Sequence, residues 1–178
     1  MPSILRAKKS PALKPFNRMK ILIFGAGNLL LSDEGFGVHV VRYLEQHYTF
    51  PECVELFDAG TMGILATHKI EEADWVYIVD VVAVDGEPGA VLRYGKDDFM
   101  LNRVPVKLSP HQAGVQEMLL VSEMRGRCPA EIYLLGVIPV STAPGSELSP
   151  LVEKRLAEVA DALVVELRAR TGLSLPVR

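Results

Sequence analysis

Residues 20–48 carry a short apolar strand, a glycine turn and a helical repeat, and that succession commits the chain to an α/β build. The strand, KILIF at 20–24, closes on Gly25. Over 35–48, Val38, Val41, Leu44 and Tyr48 recur at helical spacing with Val40 adjoining, while His39, Arg42, Glu45 and Gln46 fill the other face. A second strand at 53–57 runs into Asp58-Ala59-Gly60-Thr61, and a short helix is expected over 62–69. The third strand, WVYIV at 75–79, is apolar throughout and so expected to be buried on both faces. Asp85-Gly86-Glu87-Pro88-Gly89 then turns the chain into a fourth strand at 90–94. Few residues separate strands three and four, which predicts that they pair antiparallel with each other rather than through a crossover.

A helix over 110–124 is expected to take Ser109 as its N-cap and Pro110 as its first residue, with Gly126 just past its end. The fifth strand is at 132–137. The last helix starts at Ser149-Pro150, repeats Val152, Leu156, Val159, Leu163 and Leu167 on one face, and stops near Gly172. Strands alternating with helices predict a sandwich with a mostly parallel sheet, and no internal repeat is visible.

Charge narrows the function. Residues 1–18 hold five of the 19 basic residues, no acid and three prolines, and read as a disordered basic extension. A single domain is expected from Met19 to residue 178. With 22 acidic residues, that body carries about minus eight charges and makes a poor nucleic-acid binder. No apolar run approaches the roughly 18–20 residues needed to cross a bilayer, so membrane insertion is not expected. The N-terminus also lacks a secretory h-region. Cys53 and Cys128 have no CxxC spacing, which argues against a zinc knuckle or a disulfide frame and for a reducing compartment, the cytoplasm.

In open α/β sheets, sites form outside the carboxyl ends of the parallel strands, and here that edge is acidic. Asp33 and Glu34 follow the first strand, Asp58 closes the second and Asp80 the third. Each also has an ordinary reading: Asp33 as a helix cap, Asp58 as a turn anchor, Asp80 as the partner of a lysine. The turn Gly25-Ala26-Gly27 supplies GxG, but Leu30 holds the third glycine position of a dinucleotide fingerprint and no Walker lysine follows. The glycines are better placed to let the chain bend sharply and present Glu34. His111 falls in the first turn of its helix, where the dipole disfavours imidazolium and leaves a neutral, ligating ring. It could equally just close a helix start. His39, His47 and His68 have polar neighbours and are expected at the surface.

GAGNLLLSDEGFG after strand one, DAGT after strand two, IVD at the end of strand three, SPHQ with GV soon after, and LLGVIP before the final loop are similar to the hydrogenase maturation endopeptidases. The resemblance runs from about residue 19 to the C-terminus and is nearest to the proteases of membrane-bound or uptake [NiFe] hydrogenases. It implies a three-layer αβα sandwich of the phosphorylase/hydrolase-like kind, with a twisted five-stranded sheet. It also implies a nickel-dependent endopeptidase that removes the C-terminal extension of the large-subunit precursor after nickel insertion. The family's metal-contacting residues fall on Glu34, Asp80 and His111, and its DGGT-like segment falls on 58–61 with Ala59 in place of the first glycine.

On this resemblance nickel arrives with the precursor, and zinc or another divalent ion could substitute in vitro. Two oxygens and one nitrogen suit such borderline ions. Two mechanisms stay open: the metal polarises the scissile carbonyl, or Glu34 and Asp80 work as an acid–base pair on water, an aspartic-type protease. The second is preferred here, because a metal destined for the hydrogenase is an awkward permanent Lewis acid. HExxH, a serine elbow and a cysteine–histidine pair are all absent. The competing readings are a non-proteolytic nickel-binding assembly factor and a nucleotide-binding enzyme on the same sandwich.

Overall fold

The computed structural model describes residues 19–100 and 110–178, without side chains at 99, 100 and 110–113. The basic extension 1–18 and the expected N-cap Ser109 therefore lie outside the described residues. Five strands form one sheet: β1 (Ile21–Ala26), β2 (Val54–Gly60), β3 (Trp75–Val81), β4 (Val91–Gly95) and β5 (Glu131–Val137), in the order β2-β1-β3-β5-β4. All neighbours are parallel except β4, which runs antiparallel to β5. The helices are α1 (Phe36–His47), α2 (Thr67–Glu72), α3 (Lys96–Met100), α4 (Pro110–Met124) and α5 (Pro150–Thr171), with 3-10 turns at Ser32–Gly35 and Gly63–Ala66.

Side-chain alternation along the central strand separates two cores. Trp75, Tyr77, Val79 and Val81 of β3 pack with Phe36, Val40 and Leu44 of α1 and Val152, Val159 and Leu163 of α5. Val76 and Ile78 pack on the opposite face with Ile70 of α2 and Val115, Met118 and Leu119 of α4. Helices α1 and α5 thus cover one face and α2 and α4 the other, as a three-layer sandwich requires. Helix α5 ends at Gly172, whose φ of 69° is the left-handed cap expected there. His47 and His68 are exposed, as predicted, but His39 is half-buried on α1 and desolvation lowers its pKa.

The expected strand pairing fails. β4 does not pair with β3, because β5 lies between them. Both faces of β5 are apolar: Ile132 and Leu134 enter one core, while Tyr133, Leu135 and Val137 meet the other, so the strand gains most from an interior place. β4 carries Arg93, which needs one side open. Its guanidinium lies over the Tyr133 ring, 4.1 Å from the centroid, and donates to Glu166 of α5 at 2.7 Å. The connection from β3 passes over the end of β5, with Val82 N–H donating to Val137 O (2.9 Å) and Ile138 N–H to Ala90 O (2.9 Å). The short link that predicts a hairpin is long enough to step over one strand.

Helix α1 starts in backbone contact with the sheet. A Cβ on Gly37 would lie 2.1 Å from Val79 O and 2.3 Å from Ala26 O, so no other residue lets the helix sit this close to the ends of β1 and β3. Both obstacles are main chain and cannot rotate aside. Gly37→Ala is expected to cost at least about 3 kcal/mol, the upper range for overpacking. Urea unfolding is the check, and an unchanged midpoint would contradict this packing.

Candidate active site

The β1–α1 connection is shaped around Glu34. Glu34 N–H donates to Leu31 O (3.1 Å) and Asn28 N–H donates to Glu34 O (3.0 Å), closing a tight loop. Gly27, at φ 142°, permits that closure, since a Cβ there would sit 1.9 Å from Glu34 O. The glycine turn therefore folds onto the acidic residue's own carbonyl instead of opening its amides to a phosphate. Ser32 pays the local strain: its φ of 49° is the one positive value outside glycine among the described residues. Glu34 ends up 8% exposed at the carboxyl edge of the sheet.

Asp80 meets it from below. The residue is next to last in β3 and shares the strand face of Val76 and Ile78, the face that α4 covers. It is 3% exposed, and its Oδ1 accepts the Val81 amide at 2.8 Å. Burial pushes its carboxyl up to about 7, with the charge of Glu34 adding to the rise and the Val81 amide opposing it. No lysine pairs with Asp80 among the described residues. What the fold assembles is a buried carboxyl whose ionisation is resisted by a second acid.

The other acids of this edge have different partners. Asp58 is partly exposed and forms an ion pair with Arg42 of α1 at 3.1 Å. Asp33 is fully buried and accepts four hydrogen bonds: from Ser149 N–H at 2.6 Å, Val140 N–H at 2.8 Å, Ser141 N–H at 2.9 Å and Ser149 Oγ–H at 3.0 Å. It ties two loops together and does not cap its own helix. Nothing local marks this, because Ser149 is 116 residues away along the chain. Ser149 in turn precedes Pro150 as expected of an N-cap, yet its hydroxyl goes to Asp33 and makes no capping bond.

His111 occupies the first turn of α4, and its side chain lies outside the described residues. The backbone still locates the position. Helix α4 leads into a strand parallel to β3, so it runs against the strands and begins at the edge where Glu34 and Asp80 lie. Three residues beyond His111, Gly114 packs on Gly63 of the turn after β2, a Cβ there lying 3.0 Å from Gly63 Cα. Among the described residues no group of three His, Cys, Asp or Glu could hold a metal ion. Two buried carboxyls that repel each other do fit a divalent cation, whose charge would relieve both.

Asp80 also makes stability depend on pH. Its ordinary value is near 3.8 and its folded value about 7, so between those limits the folded chain holds a proton that the unfolded chain has released. Raising the pH through this window therefore weakens the fold. Asp80→Asn cannot titrate, and its stability relative to the parent is expected to climb from pH 4 to pH 8 by roughly 1–4 kcal/mol. Paired urea titrations across that range are the check, and a constant difference would show that Asp80 is not perturbed.

Comparison with known proteins agrees with this architecture. A family model described as hydrogenase maturation protease (HycI) matches residues 38–166. The hydrogenase 2 maturation protease of Escherichia coli K12 is 35% identical over 159 residues, covering 89% of this chain and 96% of that protein. The hydrogenase expression/formation protein HupD of Bradyrhizobium diazoefficiens is 33% identical over 160 residues, 89% of this chain and 83% of that one. The solved structure of the hydrogenase maturating endopeptidase HybD from E. coli superposes with a TM-score of 0.83 at 33% identity, over 90% of this chain and 98% of that one. With likeness of this extent in both sequence and fold, the chain belongs to the hydrogenase maturation protease family and is an endopeptidase.

Proposed function

We propose that the protein removes a C-terminal extension from the large-subunit precursor of a [NiFe] hydrogenase once nickel has been inserted, with Glu34, Asp80 and His111 contacting the nickel that the precursor carries. The observation that supports this reading most is the buried pair of Glu34 and Asp80 at the open carboxyl edge of the sheet. Burial and the neighbouring acid resist the ionisation of Asp80, and a cation beside the pair would favour it. A precursor without its metal offers no such relief. Affinity then depends on cargo, and cleavage waits until maturation has progressed. No resident metal is needed for this discrimination.

The same pair suits the hydrolysis of a peptide bond. With its carboxyl held up to about 7, Asp80 can take either protonation state near neutral pH. An ionised carboxylate accepts a proton from water as it attacks the scissile carbonyl, and a protonated carboxyl donates one to the departing amine. When bound, nickel supplies charge that polarises the substrate carbonyl. Among the described residues both cysteines, Cys53 and Cys128, are free, which fits work in a reducing compartment and supports placing the reaction in the cytoplasm.

The mass of a hydrogenase large subunit, measured before and after incubation with this protein, tests the reading. Loss of a C-terminal peptide is expected from nickel-loaded precursor and not from nickel-free precursor. Glu34→Gln and Asp80→Asn are each expected to slow cleavage by at least about 10²-fold, the lower range for losing an acid–base group. Cleavage by Asp80→Asn at the parent rate would reject both mechanisms. Binding of the precursor without release of any peptide would make the protein an assembly factor instead.

A further inference from the structure

We infer that Asp33 is a positioning residue for Glu34: by strapping the β5–α5 connection to the β1–α1 turn, it fixes the neighbouring acid where the reaction needs it. This rests on the proposed proteolysis for its kinetic consequence, though not for its structural one.

The strap is dense. Besides the four bonds accepted by the Asp33 carboxylate, Asp33 N–H donates to Ser141 O (3.1 Å), Ser32 N–H to Gly145 O (2.8 Å), and Gly145 N–H to Leu30 O (3.0 Å). Ser32 Oγ–H donates to Ala143 O at 2.9 Å, and Leu31 and Gly145 form a parallel bridge. Residues 30–33 and 140–149 thus make one laced unit, and Glu34 is the next residue along.

Chemistry explains why this strap needs an aspartate. All four groups aimed at the carboxyl are donors, three of them backbone amides, and Ser149 N–H stands at the start of the 22-residue helix α5. An acceptor-only group satisfies them, and the dipole of α5 favours its charge. Asparagine keeps the shape, but in either orientation it turns an NH₂ toward at least one backbone amide that has only a hydrogen to offer. The adjacent Ser32 holds φ 49°, a conformation that persists only where its surroundings enforce it. Without the four bonds that the Asp33 carboxyl accepts, Ser32 has reason to relax, and the loop closure from Asn28 N–H to Glu34 O opens with it. A carboxylate displaced by about 1 Å can lose 10²-fold in rate.

The test uses the full chain as Asp33→Asn and as the milder Ser149→Ala, read in two ways. In cleavage of nickel-loaded precursor, Asp33→Asn is expected to lower kcat by about 10- to 100-fold with KM within about twofold. Ser149→Ala should show the same pattern more weakly. By hydrogen exchange, the Asn28 amide should lose protection in both variants while the amides of β3 keep theirs. A parent-like kcat, or a change confined to KM, overturns the proposal, as does unchanged Asn28 protection. If Asp33→Asn does not fold, Ser149→Ala decides by the same two readings. If the parent protein cleaves no precursor, the proteolytic reading fails and Asn28 exchange alone decides whether Asp33 holds Glu34 in place.

Discussion

Helix α1 can approach the sheet only because Gly37 lays bare backbone against the carbonyls of Ala26 and Val79. That contact fixes the height of the Ser32–Gly35 turn above the ends of β1 and β3. With a side chain in between, the turn would ride up and Glu34 would no longer act on Asp80. The remaining arrangement follows from this seating. β3 brings its acid up from the core on the face that α4 covers, and α4 begins at the same edge. The site is thus a product of close packing, and no loop has to search for its place.

Asp33 and Glu34 are adjacent in sequence and opposite in circumstance. Asp33 is sunk among donors that neutralise it by dipoles, so its charge is spent inside the protein. Glu34 lies beside another carboxyl, and its charge adds to the burial that raises the pKa of Asp80. One acid builds the loop and the other is presented on it. A chain with two acids at this turn needs both, because the second is useful only where the first has made the loop rigid.

The layers and most of the strands are legible in the sequence because burial leaves a periodic mark. Residues 75–79 and 132–137 are apolar on both faces and lie inside the sheet, and the repeat from Val152 to Leu167 lies against it. Glu34 and Asp80 are legible as acids at strand ends, which is where open sheets place their chemistry. The neighbour of β4 is not, since pairing is decided by competition: β5 has two faces to bury and β4 must leave Arg93 room to reach Glu166. The bond between Asp33 and Ser149 leaves no mark either, because nothing in DEG or SP announces a partner 116 residues away. Helix α3 also escapes notice, being a single short turn after a strand.

The strand order has a consequence for how the protein is made. β5 is the last strand to leave the ribosome, yet its place is between β3 and β4. Until it emerges, the nascent chain exposes one unsatisfied margin on β3, and β4 has no neighbour to bond. The sheet is therefore closed by threading a late segment into its interior, and not by extending a finished border. Such an intermediate is sticky by construction, and the polypeptide is most in need of chaperone shelter until β5 has emerged.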